Sequence, residues 1–191
     1  MDSIPIKTHA GEKNMQRSII TGIGRLATAF MFIALLTGCT HTYVARQVPV
    51  PSGQVPRYAV PHPVKLTNAQ DSSEPSMLGQ QGFHKYVGDL QKWTDTALRV
   101  MKKELESRGM AANAGAAKEI KLTVDNANVH WGFATIRCIV RLKVETGDGY
   151  VNTFEGNAAS GWTLFKACDA AVARSVAKAL SDPKVMGYIT K

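Results

Sequence analysis

The stretch Ile136-Arg137-Cys138-Ile139-Val140-Arg141-Leu142-Lys143-Val144 decides the fold class, because every second residue from Ile136 onward is apolar. A period of two is that of a β-strand with one covered face. The same alternation runs through Ile120–Asp125, and the turn composition of Glu145–Gly149 leads into a further run, Tyr150–Gly156. These segments predict three consecutive strands, the last two joined by a hairpin.

Apolar residues follow a different period on either side of these strands. Residues 83–108 and 164–180 carry apolar side chains three and four positions apart, which is the stripe of an amphipathic helix. Gly109 is placed to end the first helix. Ahead of that helix, Val64–Ala69 alternates as a short strand, and Asp71–Gly82 has the composition of a loop.

The order of elements is therefore strand, helix, three strands and helix. Each helix must bury its apolar stripe, and a sheet with one apolar face is the surface available for it. We expect an α+β fold, a two-layer sandwich in which an antiparallel sheet of about four strands carries two helices on one face.

The first 38 residues have the pattern of an export signal. Basic residues precede an apolar run from Leu26 to Leu36, and small residues then lead to Cys39. A run of about 11 residues is too short to cross a hydrocarbon core as a helix, which needs about 20. It matches the central region of a signal peptide, with Met15 as a second candidate start. A membrane-spanning anchor or a buried apolar segment with an incidental cysteine is the alternative.

The tetrapeptide Leu36-Thr37-Gly38-Cys39 resembles the lipobox of bacterial lipoproteins. The resemblance implies cleavage before Cys39, lipidation of its sulfur, and membrane anchoring through acyl chains such as palmitate. Two acyl chains hold a protein on a membrane stably, whereas one does so only marginally. Thr40 stands where an aspartate would imply retention in the inner membrane. The resemblance thus implies the outer membrane, on the side that faces the periplasm.

These features divide the chain into three parts. They are a lipoprotein signal peptide over residues 1–38, a lipidated cysteine with a proline-rich tether over 39–63, and a periplasmic α+β domain over 64–191. Dense proline excludes a helix and favours an extended, semi-rigid chain. A proline-rich recognition segment is the alternative to a tether. The prolines of this part are Pro49, Pro51, Pro56, Pro61 and Pro63.

The order of elements over most of residues 64–190 resembles that of the YajG-like lipoproteins. Features that carry the resemblance are Val64–Ala69, Leu105–Gly109, Thr153–Gly156 and Ala179–Pro183. The resemblance implies a small envelope lipoprotein without catalytic residues. A looser similarity extends to small lipoproteins that help to assemble envelope machines.

Two further cysteines, Cys138 and Cys168, fall on the faces that the predicted sheet and helix turn toward each other. In an oxidising periplasm they are candidates for a disulfide, which needs Cα atoms about 4.4–6.8 Å apart. Two separately buried thiols are the alternative, because cysteine packs as a small apolar residue.

A basic face is predicted on the side of the sheet away from the helices. The chain has a formal net charge of +8, and four basic side chains occupy outward positions of the strands. Such a face would bind an anionic lipid, glycolipid or peptidoglycan, or would serve only to keep the sheet soluble. The four residues are Lys121, Arg137, Arg141 and Lys143.

The sequence favours a binding function over catalysis. No histidine has a partner at the spacing of metal ligands, and no nucleophile, phosphate or dinucleotide motif occurs. We therefore expect no metal, no cofactor and no enzymatic activity, and export argues against nucleic acid as a partner. The favoured function is a membrane-anchored interaction or assembly module with an envelope protein partner, and the anionic-ligand binder is the alternative. Trp93, Trp131, Trp162 and Phe133 form either an exposed patch for that partner or part of the core.

Overall fold

The structure, a computed structural model, describes residues 38–111, 116–161 and 163–191. Apart from Gly38, the predicted signal peptide lies outside these residues. The described residues form seven strands and three helices. The strands are β1 (Thr40–Thr42), β2 (Val64–Asn68), β3 (Pro75–Gln81), β4 (His84–Asp89), β5 (Lys118–Trp131), β6 (Ile136–Thr146) and β7 (Val151–Ser160), and the helices are α1 (Leu90–Glu106), α2 (Leu164–Ser181) and α3 (Pro183–Thr190).

The main sheet has the order β2-β5-β6-β7, and α1 and α2 pack on one face of it. The predicted two-layer α+β sandwich is thereby confirmed. Strands β5, β6 and β7 are antiparallel, as predicted, but β2 runs parallel to β5. The chain passes from β2 to β5 by way of α1, and a crossover of this kind joins parallel strands, whereas a short hairpin joins antiparallel ones.

The core lies between the main sheet and the two helices. Helix α1 contributes Trp93, Met101 and Leu105, which are fully buried, while α2 contributes a row of small residues that let it approach the sheet. At Gly156 in β7 the backbones of strand and helix come so near that no Cβ fits between them. The inward residues of the strands alternate with partly or fully exposed ones, as a period of two requires. They are Ile120, Leu122, Val124, Cys138, Val140, Leu142, Val144, Phe154 and Ala158.

Residues 75–89 form strands where the sequence predicts a loop and the first turns of a helix. β3 and β4 make an antiparallel hairpin, and β1 pairs with β4 in parallel, which gives a second sheet in the order β1-β4-β3. Helix α1 therefore begins at Leu90 and not near Phe83. The apolar spacing in this part is compatible with a helix, but pairing with two neighbouring strands overrides local preference.

Each described helix begins after a residue whose side-chain oxygen accepts hydrogen bonds from N–H groups of the first turn. These residues are Asp89, Thr163 and Asp182. Pro183 follows Asp182 in the first turn of α3, where its missing N–H removes no helical hydrogen bond. The cap at Asp89 fixes the point at which β4 turns into α1.

The proline-rich segment 43–60 packs on the domain, so the predicted tether over 39–63 is wrong for these residues. Proline does exclude a helix here, and the chain has no regular secondary structure apart from a turn at 52–55. A chain without regular structure can still bury apolar side chains, and this segment does. The packed domain begins at Thr40 and not at Val64. Buried side chains of the segment are Tyr43, Ala45, Val55 and Val60.

Hydrogen bonds hold segment 43–60 against both helices. Near its start, the hydroxyl of Thr96 in α1 donates to the carbonyl oxygen of Ala45 over 2.9 Å. Near its end, the hydroxyl of Tyr58 donates to the carbonyl oxygen of Leu180 in α2 over 3.0 Å. The segment is thus part of the helical layer.

Candidate functional site

Cys39, the predicted lipidation site, is exposed and carries a free thiol. It directly precedes β1, so a group on its sulfur would be joined to the packed domain through a single peptide bond. Outside residues 1–37, 112–115 and 162, the chain has no helix with the length and apolar character of a membrane span.

Cys138 and Cys168 form the predicted disulfide, with their Cα atoms 5.0 Å apart. Cys138 lies on the inner face of β6, and Cys168 lies on the face of α2 that packs against the sheet. Both residues are fully buried. The bond therefore ties α2 to the middle of the sheet and leaves Cys39 as the free one of the three cysteines in the sequence.

The four basic residues of the predicted face do lie on the outer side of the main sheet, opposite the helices. Arg137 and Arg141 are exposed, and Lys121 and Lys143 are partly buried. Their inward neighbours in β5 and β6 are buried in the core, as the alternation predicts. The placement of the side chains is thus the predicted one.

Carboxylates alternate with these cations, so the face is a mosaic of both signs and not the predicted basic stripe. Lys121 of β5 lies opposite Glu145 of β6, with 3.9 Å between Nζ and Oε1. Arg141 of β6 lies opposite Glu155 of β7, with 3.5 Å between Nε and Oε2. Each exposed pair contributes little to stability. The pairs do cancel the positive potential that would attract an anion.

Two more carboxylates extend the mosaic along β5. Glu119 pairs with Lys65 of β2, with 3.0 Å between Oε1 and Nζ. Hydrogen bonds from the hydroxyl of Thr67 and from Lys65 hold the pKa of Glu119 below its ordinary value. Burial raises the pKa of Asp125, and the charge of Lys143 opposes that shift. Most of the outer face is therefore close to electrical balance.

Lys121 and Arg141 form ion pairs with carboxylates, and Lys143 interacts electrostatically with Asp125. Arg137 forms no ion pair with a described residue. It borders an open pocket of about 400 Å³ beside the β5–β6 hairpin. Arg137 thus gives this end of the outer face a local positive charge, next to the indole ring of Trp131. The other lining residues are His130, Trp131, Gly132, Thr135 and Ile139.

Four aromatic side chains form a stack that runs from the second sheet, β1-β4-β3, to the end of β5. His41 lies between His84 and Tyr86, with ring centroids 5.2 and 5.1 Å away. Tyr86 in turn packs on Trp131, with 5.0 Å between centroids. Gly79 leaves room for Trp131, because a Cβ there would lie 2.7 Å from the indole ring. The stack joins the two sheets at this point.

The two histidines of the stack share a hydrogen bond of 3.0 Å between Nε2 of His41 and Nδ1 of His84. Within the described ranges, no three or more His, Cys, Asp or Glu side chains are grouped so that they could hold a metal ion.

The aromatic residues noted in the sequence have different positions. Trp93 is fully buried, and its indole N–H donates to the carbonyl oxygen of Tyr43 over 3.1 Å. Phe133 stands fully exposed at the tip of the β5–β6 hairpin, and Trp162 lies outside the described residues. Phe83, at the tip of the β3–β4 hairpin, is 70% exposed. Sequence reasoning missed it because it placed this residue at the start of a helix.

A buried polar cluster that the sequence analysis missed joins the N-terminal segment to α2. The hydroxyl of Tyr43 donates to the carboxylate of Asp169, which also accepts the backbone N–H of Arg46 over 2.7 Å. Burial is the main cause that raises the pKa of Tyr43 well above its ordinary value, and the hydrogen bond to Asp169 adds to it. An aspartate among the buried alanines of a helix was the available signal, because a buried charge needs partners.

Replacing Tyr43 with phenylalanine is expected to lower the free energy of unfolding by about 1–3 kcal/mol, the usual cost when a buried charged group loses a hydrogen-bond partner. Phenylalanine keeps the aromatic ring and its packing, so the loss of stability reports the contribution of the hydroxyl alone. Urea unfolding followed by circular dichroism measures it. Tyr86→Phe is the matched control, because the Tyr86 hydroxyl makes no hydrogen bond to any described residue. If Tyr43→Phe and Tyr86→Phe have the same free energy of unfolding, the Tyr43–Asp169 contact does not stabilise the domain.

No family model matches the sequence, and no curated protein matches it. Among solved structures, the chain is similar to the crystal structure of protein XCC0632 from Xanthomonas campestris, which is described with the family DUF330. The two share 18% sequence identity with a TM-score of 0.44, over 79% of this chain and 95% of the other. A similarity at this level carries no statement about function.

Proposed function

We propose that this protein is a lipid-anchored, non-catalytic interaction or assembly module of the bacterial cell envelope. Cys39 carries the lipid, residues 1–38 are the export signal, and the domain that begins at Thr40 binds an envelope protein. Its location is the periplasmic side of the outer membrane.

The observation that carries the proposal is the state of the three cysteines. Disulfides persist in oxidising compartments such as the periplasm and are rare in the reducing cytosol. The buried bond between Cys138 and Cys168 therefore supports export. Cys39 is left exposed immediately before the first strand, and it ends the lipobox-like tetrapeptide that begins at Leu36. Lipidation would account for a free cysteine at this position, because the residues before it match a lipobox.

The outer face of the sheet favours a protein partner over an anionic ligand. Its carboxylates and cations alternate in a fixed register, set by the pairing of β5, β6 and β7. Charges of both signs in a fixed arrangement select for a complementary protein surface. An anionic ligand would instead need an excess of cations, whereas Lys121 and Arg141 are paired with carboxylates and Lys143 interacts electrostatically with Asp125.

The substitution Cys39→Ser is expected to abolish lipid labelling, because the hydroxyl does not replace the thiol that accepts the lipid. Cells fed radiolabelled palmitate should label the wild-type protein and not the variant. The variant should also retain the leader and migrate as the larger precursor, because cleavage follows lipidation. Labelling of the variant at the wild-type level, or processing to the mature size, would contradict the proposal.

Thr42→Ser is the matched control, since it changes an exposed residue near Cys39 without touching the tetrapeptide. It should label and mature as the wild type does. Chemical cross-linking of intact cells supplies a second readout. The wild type and Thr42→Ser should give a discrete adduct with an envelope protein, and Cys39→Ser should lose it because the precursor does not reach the outer membrane.

A further inference from the structure

Two hairpin tips lie at one end of the domain. The hydroxyl of Thr94, near the start of α1, accepts the backbone N–H of Val124 in the middle of β5 over 2.9 Å. Tyr86, farther back along the chain in β4, packs on Trp131 at the end of β5. Moving backward along β4 therefore moves toward the β5–β6 hairpin. Phe83, which precedes β4, thus lies at the same end of the domain as that hairpin.

The first strand starts at this end too. Thr40 pairs with Lys85, which is two residues from Phe83, and the two strands run in parallel. We call this region, defined by Thr40, Phe83 and Phe133, the Thr40 end. Because Cys39 is bonded to Thr40, a lipid on its sulfur would hold this end of the domain nearest to the bilayer.

The Thr40 end exposes large apolar side chains. Phe133 is fully exposed and Phe83 is 70% exposed, and both stand on hairpin tips where no described side chain covers them. Phe165 is 46% exposed in the first turn of α2, which follows the end of β7, and the end of β7 pairs with the start of β6 at Ile136. Exposed apolar side chains that gather in one region mark a site of contact with a protein or a membrane.

The same end lacks negative charge. Four stretches of chain meet there, and none of them contains an aspartate or a glutamate. Lys85 and Arg137 are exposed in these stretches and have no ion pair with a described residue. Apolar side chains flanked by unpaired cations suit a bilayer that contains anionic lipid. The stretches are 40–42, 79–87, 129–138 and 158–161.

We infer that the Thr40 end is a membrane-contacting surface, in which Phe83 and Phe133 enter the interface of an anionic bilayer while Lys85 and Arg137 meet its headgroups. The inference rests on the proposed lipid anchor at Cys39. The lipid brings the domain to the membrane, and the two hairpin tips fix its orientation. The opposite end of the main sheet then points into the periplasm, and the outer face of the sheet stands accessible to a partner.

The test places an environment-sensitive label at single sites of the lipidated protein. Phe83→Cys and Phe133→Cys each add a thiol at a tip, and Val151→Cys adds one at the opposite end of the main sheet, where Val151 is 49% exposed. The introduced thiol is the reactive one, because Cys39 is lipidated and the other two cysteines are bonded. Each variant is labelled with nitrobenzoxadiazole and reconstituted in vesicles of phosphatidylethanolamine and phosphatidylglycerol that contain spin-labelled lipid.

Labels at residues 83 and 133 should shift their emission to the blue and be quenched several-fold more strongly than the label at residue 151. The main sheet separates the two ends by about 30 Å, since a strand rises about 3.3 Å per residue. Circular dichroism checks that each variant is folded. We expect all three to fold, because the substituted side chains are exposed. Omitting the spin-labelled lipid should leave the blue shift and remove the quenching.

The outcomes separate this inference from the proposed function. Mass spectrometry of the Cys39 peptide reports the lipid directly. If the peptide carries lipid but all three labels behave alike, the membrane-contacting surface is wrong and the anchor stands. If labels 83 and 133 shift to the blue without quenching by lipid, a second copy of the protein covers these tips and the inference is overturned. If the peptide carries no lipid, the proposed function fails and the inference fails with it.

Discussion

Replacing Gly156 with alanine is expected to destabilise the domain by about 3 kcal/mol or more, at the upper end of the cost of overpacking a core. A Cβ at this position would lie 2.6 Å from the backbone nitrogen of Ser175 and nearer still to the carbonyl oxygen of Ala171. Both are backbone atoms in the middle of α2, so neither can turn aside as a flexible side chain would. Strand β7 and the helix would have to separate, and a close-packed interior does not absorb such a shift. Urea unfolding followed by circular dichroism measures the loss.

Gly187→Ala provides the matched control. Gly187 lies within α3, and a Cβ there meets no atom within 4 Å. Alanine in a helix is more favourable than glycine by about 0.5–1 kcal/mol, so this variant should equal or exceed the wild type in stability. If Gly156→Ala unfolds at the wild-type urea concentration, the close approach of α2 to β7 is wrong.

The alternation of apolar residues was sufficient to predict the antiparallel part of the main sheet. It assigns β5, β6 and β7 and identifies which side of each strand is buried, because one face of the sheet is covered and the other is not. The 3.6-residue stripes likewise predict α2 and most of α1. The close approach at Gly156 was not predicted, since a glycine in a strand indicates a bulge or a near neighbour without saying which.

Two parts of the fold depend on contacts that a local pattern does not contain. Residues 75–89 become strands because β1 and β3 pair with β4 on either side. The segment 43–60 contains three prolines, which favour a linker, yet it places Tyr43 and Val60 in the core. Its partners lie in α1 and α2, more than 40 residues along the chain. Composition describes the conformation of this segment but not what it packs against.

The basic face was placed correctly and given the wrong charge. Period-two alternation identifies Arg141 and Lys121 as outward, which is a property of one strand at a time. Whether a carboxylate faces them depends on the register between strands. The register of β6 with β7 puts Glu155 opposite Arg141, and the register of β5 with β6 puts Glu145 opposite Lys121. A bulge between Val124 and Asn126 shifts part of that register, so counting residues from the hairpin does not recover it.

Reducing the disulfide is expected to lower the free energy of unfolding by roughly 3–4 kcal/mol in the chain-entropy description. Cys138 and Cys168 are 30 residues apart, and the bond limits the conformations of that loop in the unfolded chain. Both sulfurs are enclosed in the core, so the native protein should resist reductant and lose its bond only after partial unfolding. Urea unfolding with and without dithiothreitol, after incubation long enough for the bond to exchange, measures the difference.

The double variant Cys138→Ala with Cys168→Ala is the control for reductant acting elsewhere. It should be less stable than the oxidised wild type and insensitive to dithiothreitol, because the remaining Cys39 forms no bond within the domain. Alkylation of the denatured, unreduced wild type counts its free thiols independently. If Cys138 and Cys168 are alkylated there, or if reductant leaves the unfolding curve unchanged, the two cysteines are separate buried thiols. The proposed export would then lose the observation on which it rests, because separate thiols are as compatible with a reducing compartment as with an oxidising one.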